Sequence, residues 1–149
     1  MSAAPLKILV ATDDSSHASK ALEMAARLAR QGSGELAVVS VVNLPARLAA
    51  SSGANTGWGD VVMESLEALY GQALAHAQEK LLSAEPGLKV ETLLRWGNPG
   101  DVICEEAARG GFDLVVLGSR GQSEIKSHFL GSVSDRVMHH APCSVLIVR

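Results

Sequence analysis

Aromatic side chains are nearly missing from this chain of 149 residues, which has two Phe, two Trp and one Tyr. A core without rings must be filled by Val, Leu, Ile and Ala, the bulk of its 47% apolar fraction. Excess positive charge is missing too. The formal net charge is −3, which argues against a nucleic-acid partner, because phosphate backbones are held by basic faces. An anionic ligand would have to be held by local geometry. Cysteine is limited to Cys104 and Cys143, without the spacing of a metal site or disulfide framework. That points to reduced thiols and a cytoplasmic setting, although sequence alone leaves a bridge between the two open. No apolar run approaches the ~18 residues of a membrane span, so no membrane partner is expected. "MSAAPLKILVATDD" lacks the longer apolar stretch and cleavage site of a secretory leader.

What is present is an alternation of strand and helix patterns. "LKILVAT" (Leu6 to Thr12) is a near-continuous apolar run, as expected of a strand covered on both faces. Ser15 or Ser16 can cap the next helix, whose stripe is Ala18, Ala21, Leu22, Ala25, Leu28 and Ala29, and Gly32 is its expected stop. Glu35 to Val42 is the second strand. A long helix over Val61 to about Ser83 has Asp60 as its expected cap, with Val62, Leu66, Leu69, Ala73, Ala77 and Leu81 on one side. Leu88 to Arg95 is a weaker strand. "GNPGDVICEEAARGG" marks a helix at both ends, with Asn98 at the cap, Pro99 in the first turn and Gly110 at the stop. Phe112 to Leu117, a short helix from Ser132 to His140, and Cys143 to Val148 complete the series. The fold class is α/β: one domain, 1–149, with an open parallel five-stranded sheet, helices on both faces and a Rossmann-like build.

Two segments break the regularity. Leu44 to Gly59 is a long connection rich in Ala, Ser and Gly, readable either as an insert or as a lid. "VLGSRGQSEIKSHFLGSVSDRV" places Gly118 and Gly121 directly after a strand, then Gly131-Ser132 at the start of a helix. Ligands of open α/β sheets bind beyond the carboxyl ends of the strands. Glycines there let backbone N–H groups approach an anion, and a helix N-terminus suits negative charge. Arg120, Lys126 and His128 add local positive charge. Structurally, Gly118 could simply end a strand, and Ser132 with Asp135 could form a capping box.

The spacing Gly118, two residues, Gly121, nine residues, Gly131-Ser132 resembles the nucleotide-binding signature of the universal stress protein family. "KILVATDDS", "GNPGDVICEEA", "FDLVVLGSRG" and "GSVSDRVMHHAPCSVLIV" extend the resemblance over essentially the whole chain. It implies strand order 3-2-1-4-5, a dimer, and the ATP-binding branch. Carried over, Gly118, Ser119 and Gly121 would wrap ribose and phosphates, while Gly131, Ser132 and Val133 would close on the phosphates. Asp13, with Ala11 and Thr12 beside it, would lie near ribose and adenine. Val41 or Val42 would offer backbone hydrogen bonds to adenine. The implied cofactor is ATP, or AMP or another adenine nucleotide, with Mg²⁺. Asp14 departs from the family, which usually has a small residue there. It reads as a cap for the first helix or, with Asp13, as a ligand of Mg²⁺.

Other chemistries lack their residues. His139 and His140 are adjacent on a helix and point about 100° apart, too divergent for one metal. His17, His76 and His128 have no ligand spacing. No G-x-x-x-x-G-K-[ST] loop and no nucleophile elbow occur. A phosphoacceptor receiver domain would need an aspartate ending strand three and a lysine ending strand five; the chain has "LLRWGN" and Arg149. An adenylyl-transfer enzyme would need a Ser-Gly-Gly type loop where "TDDSS" stands. The function the resemblance implies is that of an ATP-binding stress-response regulatory protein, with at most slow hydrolysis. The alternatives are a stress-response dimer working through protein contacts with little nucleotide dependence, or a slow ATPase or adenylyl-transfer enzyme. The apolar last strand, Cys143 to Val148, would otherwise be a bare edge and is the expected homodimer contact.

Overall fold

The computed structural model describes residues 4–43, 58–121 and 130–149. Most of the long connection after the second strand, and the segment carrying Lys126 and His128, lie outside the described residues. Among the described residues, strands β1 (Lys7–Ala11), β2 (Glu35–Val42), β3 (Val90–Trp96), β4 (Leu114–Gly118) and β5 (Ser144–Val148) alternate with four helices. These are α1 (Ser16–Gly32), α2 (Trp58–Ala84), α3 (Pro99–Arg109) and α4 (Ser132–His140). The strands form one sheet of order β3-β2-β1-β4-β5, every neighbouring pair parallel. This is the order the family resemblance implies. Strand order reverses between β1 and β4, which opens a crevice at their carboxyl ends.

Pleating divides the core in two. Ile8 and Val10 face α1 and α2, where Ala21, Leu22, Ala25, Leu74, Ala77 and Leu81 are buried. Leu9 faces the opposite way, onto Val102, Ile103 and Ala107 of α3 and Val137 of α4. Alanine at five of the six buried α1 positions lets that helix lie close on the sheet, and each fully buried Leu, Ile or Val contributes roughly 1.5–3 kcal/mol.

Boundaries differ from the sequence pattern where the backbone path decides them. α1 ends on Gly32 as expected, but its left-handed cap is the next residue. Ser33 takes the left-handed conformation (φ 51°), and its N–H and that of Gly34 both donate to Ala29 O. Gly34 must be glycine, since a Cβ there would stand 2.6 Å from the Leu6 carbonyl oxygen. α2 begins three residues before Val61, which places Asp60 inside its first turn and not at its cap. The stripe expected on α2 is correct toward its end, at Ala73, Ala77 and Leu81. It fails at Leu69, which is 61% exposed, while Leu74 is buried instead.

One buried group is unsatisfied. Ser40, on β2, is fully buried, and its hydroxyl has no hydrogen-bond partner among the described residues. A buried polar group without a partner costs about 1–3 kcal/mol. Ser40→Ala should therefore raise stability by about 1 kcal/mol in urea unfolding. A fall of similar size would show that the hydroxyl is satisfied.

Candidate functional site

At the end of β1 the chain stays tied to the sheet, Thr12 N donating to Val39 O (3.0 Å). It then turns sharply into α1. Asp13 Oδ1 accepts from Ser15 N (3.0 Å), and Asp14 N donates to Thr12 Oγ1 (3.2 Å). Ser15, not Asp14, caps α1 by accepting from Ala18 N (3.1 Å). Asp14 instead occupies the left-handed region at φ 64°. Glycine adopts that conformation without penalty, and aspartate is among the few other residues that tolerate it. The Asp14 carboxylate lies 3.9 Å from His76 Nδ1 on α2.

Across the crevice, β4 ends at Gly118. A Cβ on Gly118 would meet the His17 carbonyl carbon at 2.7 Å, so the first turn of α1 packs directly on this glycine. A Cβ on Gly121 would meet Asp13 Oδ2 at 2.9 Å. Neither glycine has a left-handed φ. Their lack of a side chain serves close approach. Gly131 is the N-cap of α4 and no side chain caps this helix, so the expected Ser132–Asp135 capping box is not formed. The first helical bond runs from Asp135 N to Gly131 O (2.9 Å). Ahead of it, the backbone of Ser132, Val133 and Ser134 forms the positive end of the helix.

These pieces enclose a cleft of about 570 Å³, within the usual range for a small-molecule site. Of the residues chosen from sequence, Ala11, Thr12, Asp13, Val41, Gly118, Gly121, Gly131, Ser132 and Val133 line it. Val42 and Ser119 do not. Val42 is fully buried in the sheet, and the Ser119 hydroxyl faces His17 Nδ1 at 3.1 Å. Of the three basic residues expected nearby, Arg120 lines the cleft; Lys126 and His128 are outside the described residues. Sequence reasoning missed one wall from α2 (Leu69, Tyr70, Ala73), another from α3 (Asn98 to Gly100, Ile103), and Ser134 and Arg136 on α4. The Asn98 cap signal, with Pro99 behind it, could have found the α3 wall: it places a helix N-terminus on the binding edge. Arg136 Nε is paired with Asp101.

The cleft has two kinds of lining. Val39, Val41, Ile103, Leu117 and Val133 make an apolar part, while Asp13, Gly121, Gly131 and Ser132 make a polar part beside Arg120. It can take a ligand with a flat apolar portion joined to an anionic one. Among the described residues, no group of three or more His, Cys, Asp or Glu stands together as a metal site. Both cysteines are unbridged and half-buried. Burial pushes both thiols above their ordinary pKa, Asp101 adding to the effect on Cys104 and Asp113 on Cys143. Neither is an activated nucleophile.

Residues 6–149 match the model of the universal stress protein family. The chain belongs to that family. It is 35% identical to universal stress protein YxiE of Bacillus subtilis, over 96% of this chain and 98% of that one. Among solved structures it resembles universal stress protein UspA from Lactobacillus plantarum, with TM-score 0.73, 27% identity and 99% of each chain covered. It also resembles a universal stress protein in complex with cAMP, with TM-score 0.72, 25% identity and again 99% of each chain. In this universal stress protein Gly118, Gly121, Gly131 and Ser132 line the same cleft as Asp13 and Val41.

Proposed function

We propose that this domain binds an adenine nucleotide, ATP foremost, and acts as a stress-response regulator, not as a metabolic enzyme. The observation that carries the proposal is the two-part cleft, in which an apolar slot beside Val41 continues into the glycine corners and the start of α4. The base would occupy the slot, with hydrogen bonds from the backbone of Val41 (Val42 is the alternative). Asp13, beside Ala11 and Thr12, would accept from ribose hydroxyls. Gly118, Ser119 and Gly121 would offer backbone to ribose and phosphates, and Gly131, Ser132 and Val133 would present helix-end amides to the phosphates. The solved relative bound to cAMP supports an adenine nucleotide as the ligand class.

The residues present suit Mg²⁺ on the phosphates. Asp13 lines the cleft with Oδ2 toward Gly121, and Mg²⁺ in nucleotide sites ordinarily takes one or two carboxylates plus phosphate oxygens. The ion would neutralise phosphate charge next to Asp13 and Asp14. Among the described residues the cleft shows no hydroxyl or thiol paired with a base as an activated nucleophile, and slow hydrolysis at most is the expectation. Among the described residues no helix is long and apolar enough to cross a membrane, and the two free thiols suit the reducing cytoplasm.

Gently purified protein should release adenine nucleotide on denaturation, detected by mass spectrometry. Calorimetric titration of the emptied protein should then give saturable binding of ATP with Mg²⁺. No heat and no retained nucleotide with ATP, ADP, AMP and cAMP at millimolar concentration would sink the proposal.

The same reading includes a homodimer through β5. Among the described residues β5 pairs only with β4, and its Val145, Leu146, Ile147 and Val148 are just half-buried. Sedimentation should give a dimer at micromolar concentration, and Leu146→Pro should weaken it by removing a backbone donor. A monomeric wild type, with or without ATP, would refute the contact.

A further inference from the structure

We infer that His17 and Ser134, neither part of the glycine signature, are positioning residues that fix the spacing between its two corners. The inference rests on the nucleotide reading above. Ser119 is the joint. All three of its polar groups are engaged, each by a different element: N–H to Val148 O of β5 (2.9 Å), hydroxyl to His17 Nδ1 of α1 (3.1 Å), and carbonyl oxygen to the start of α4. Two donors meet that carbonyl, Gly131 N (2.7 Å) and Ser134 Oγ (3.1 Å).

Ser134 Oγ also lies 3.0 Å from Gly131 O. A hydroxyl has one proton, so Ser134 shares it between the carbonyls of Ser119 and Gly131, one from each corner. The residue is only 3% exposed, and no water competes easily for that proton. The corners are twelve positions apart in sequence, yet they are held as one unit from within the fold.

Amide cradles need their donors placed within about 0.5 Å, and rigidity secured before binding raises affinity by sparing the ligand the ordering. Ser134 supplies that rigidity at the α4 side and His17 at the β4 side. The Ser119 side chain is thereby committed to the fold, so what Ser119 offers a nucleotide is its backbone position.

The test uses the full chain at a temperature where circular dichroism shows every variant folded. ATP and AMP are titrated into wild type, Ser134→Ala, His17→Leu and His17→Asn, and exchange of the Gly131 amide is followed without nucleotide. Asparagine keeps a hydrogen-bonding atom where His17 Nδ1 stands, and leucine does not. Ser134→Ala and His17→Leu should each weaken both nucleotides about tenfold, and His17→Asn should recover most of the loss. Gly131 exchange should be about tenfold faster in Ser134→Ala. A merely structural role would lower melting temperature and leave the affinity of the folded protein unchanged, which would overturn the inference. Unchanged Gly131 exchange would overturn it as well, independently of any ligand. A wild type that binds neither nucleotide would instead refute the nucleotide reading, and this inference with it.

Discussion

Gly121→Val should abolish the rise in melting temperature that ATP produces. In the wild type, with Mg²⁺ and ATP at a hundredfold excess over Kd, binding should add about 2.7 kcal/mol. For a domain of this size that is an upward shift of about 5–10 °C. The effect of valine follows from the contact at this glycine. A Cβ at Gly121 would lie 2.9 Å from Asp13 Oδ2, so the branched side chain must push the carboxylate aside and fill the space a ribose and phosphate would use. Because Gly121 does not adopt a left-handed φ, the unliganded protein should lose little, less than about 1 kcal/mol. Ser132→Ala is the matching control. This change, at the start of α4, should shrink the ATP shift measured against the variant's own melting temperature without ligand. A full shift in Gly121→Val, measured by calorimetry, would show that the motif does not hold the nucleotide.

The second large effect is on the fold itself, at the other glycine of the pair. Gly118→Ala puts a methyl 2.7–2.9 Å from the backbone and Cβ of His17. Neither neighbour is the tip of a flexible chain, so the start of α1 must move. Overpacking of this kind costs about 1–3 kcal/mol, and the upper end is expected here because helix backbone is what yields. Gly71, in the middle of α2, is the contrasting case, with nothing within 4 Å of an added Cβ. There the same substitution should stabilise by up to about 1 kcal/mol through helix propensity alone. Urea unfolding of the two variants should therefore give opposite signs. Equal stabilities for Gly118→Ala and wild type would remove the close contact with α1 from the account.

The central strands β1, β2 and β4 were legible because each is a nearly uninterrupted aliphatic run, the direct imprint of being covered on both faces, while the border strand β3 shows only a weaker alternation. Asn98 and Gly110 were legible for a similar reason: cap signals are local, and so is the hydrogen bond from Asp101 N to Asn98 Oδ1. The errors fall where a local signal competes with the path of the backbone. Asp14 looks like a cap, but the turn that leaves β1 bends it into the left-handed region and gives the capping role to Ser15. Ser132 looks like the opening of a capping box, yet Gly131 already occupies the cap and Ser132 is one step inside the helix. Leu69 fits the buried stripe of α2 by periodicity, but periodicity says nothing of where a long helix passes beyond the sheet and becomes the wall of a cleft. The links from Ser119 to His17 and Ser134 join residues 102 and 15 positions apart, and no spacing rule anticipates them.

The two borders of the sheet are unlike, and that has a consequence for how many copies can join. β3 forms the border opposite β5. It exposes Glu91 and Thr92, and its Arg95 is held by Glu106. Charge at a border discourages a further strand from adding there, whereas the aliphatic β5 invites one. A molecule with a single adhesive border is monofunctional, in the sense a polymer chemist would use. Under the proposed β5 contact, two such molecules joined edge to edge across a two-fold axis would leave only their charged borders outward, and growth would terminate. In such a dimer the same aliphatic richness that fills the core would be displayed on one border without turning the protein into a fibre.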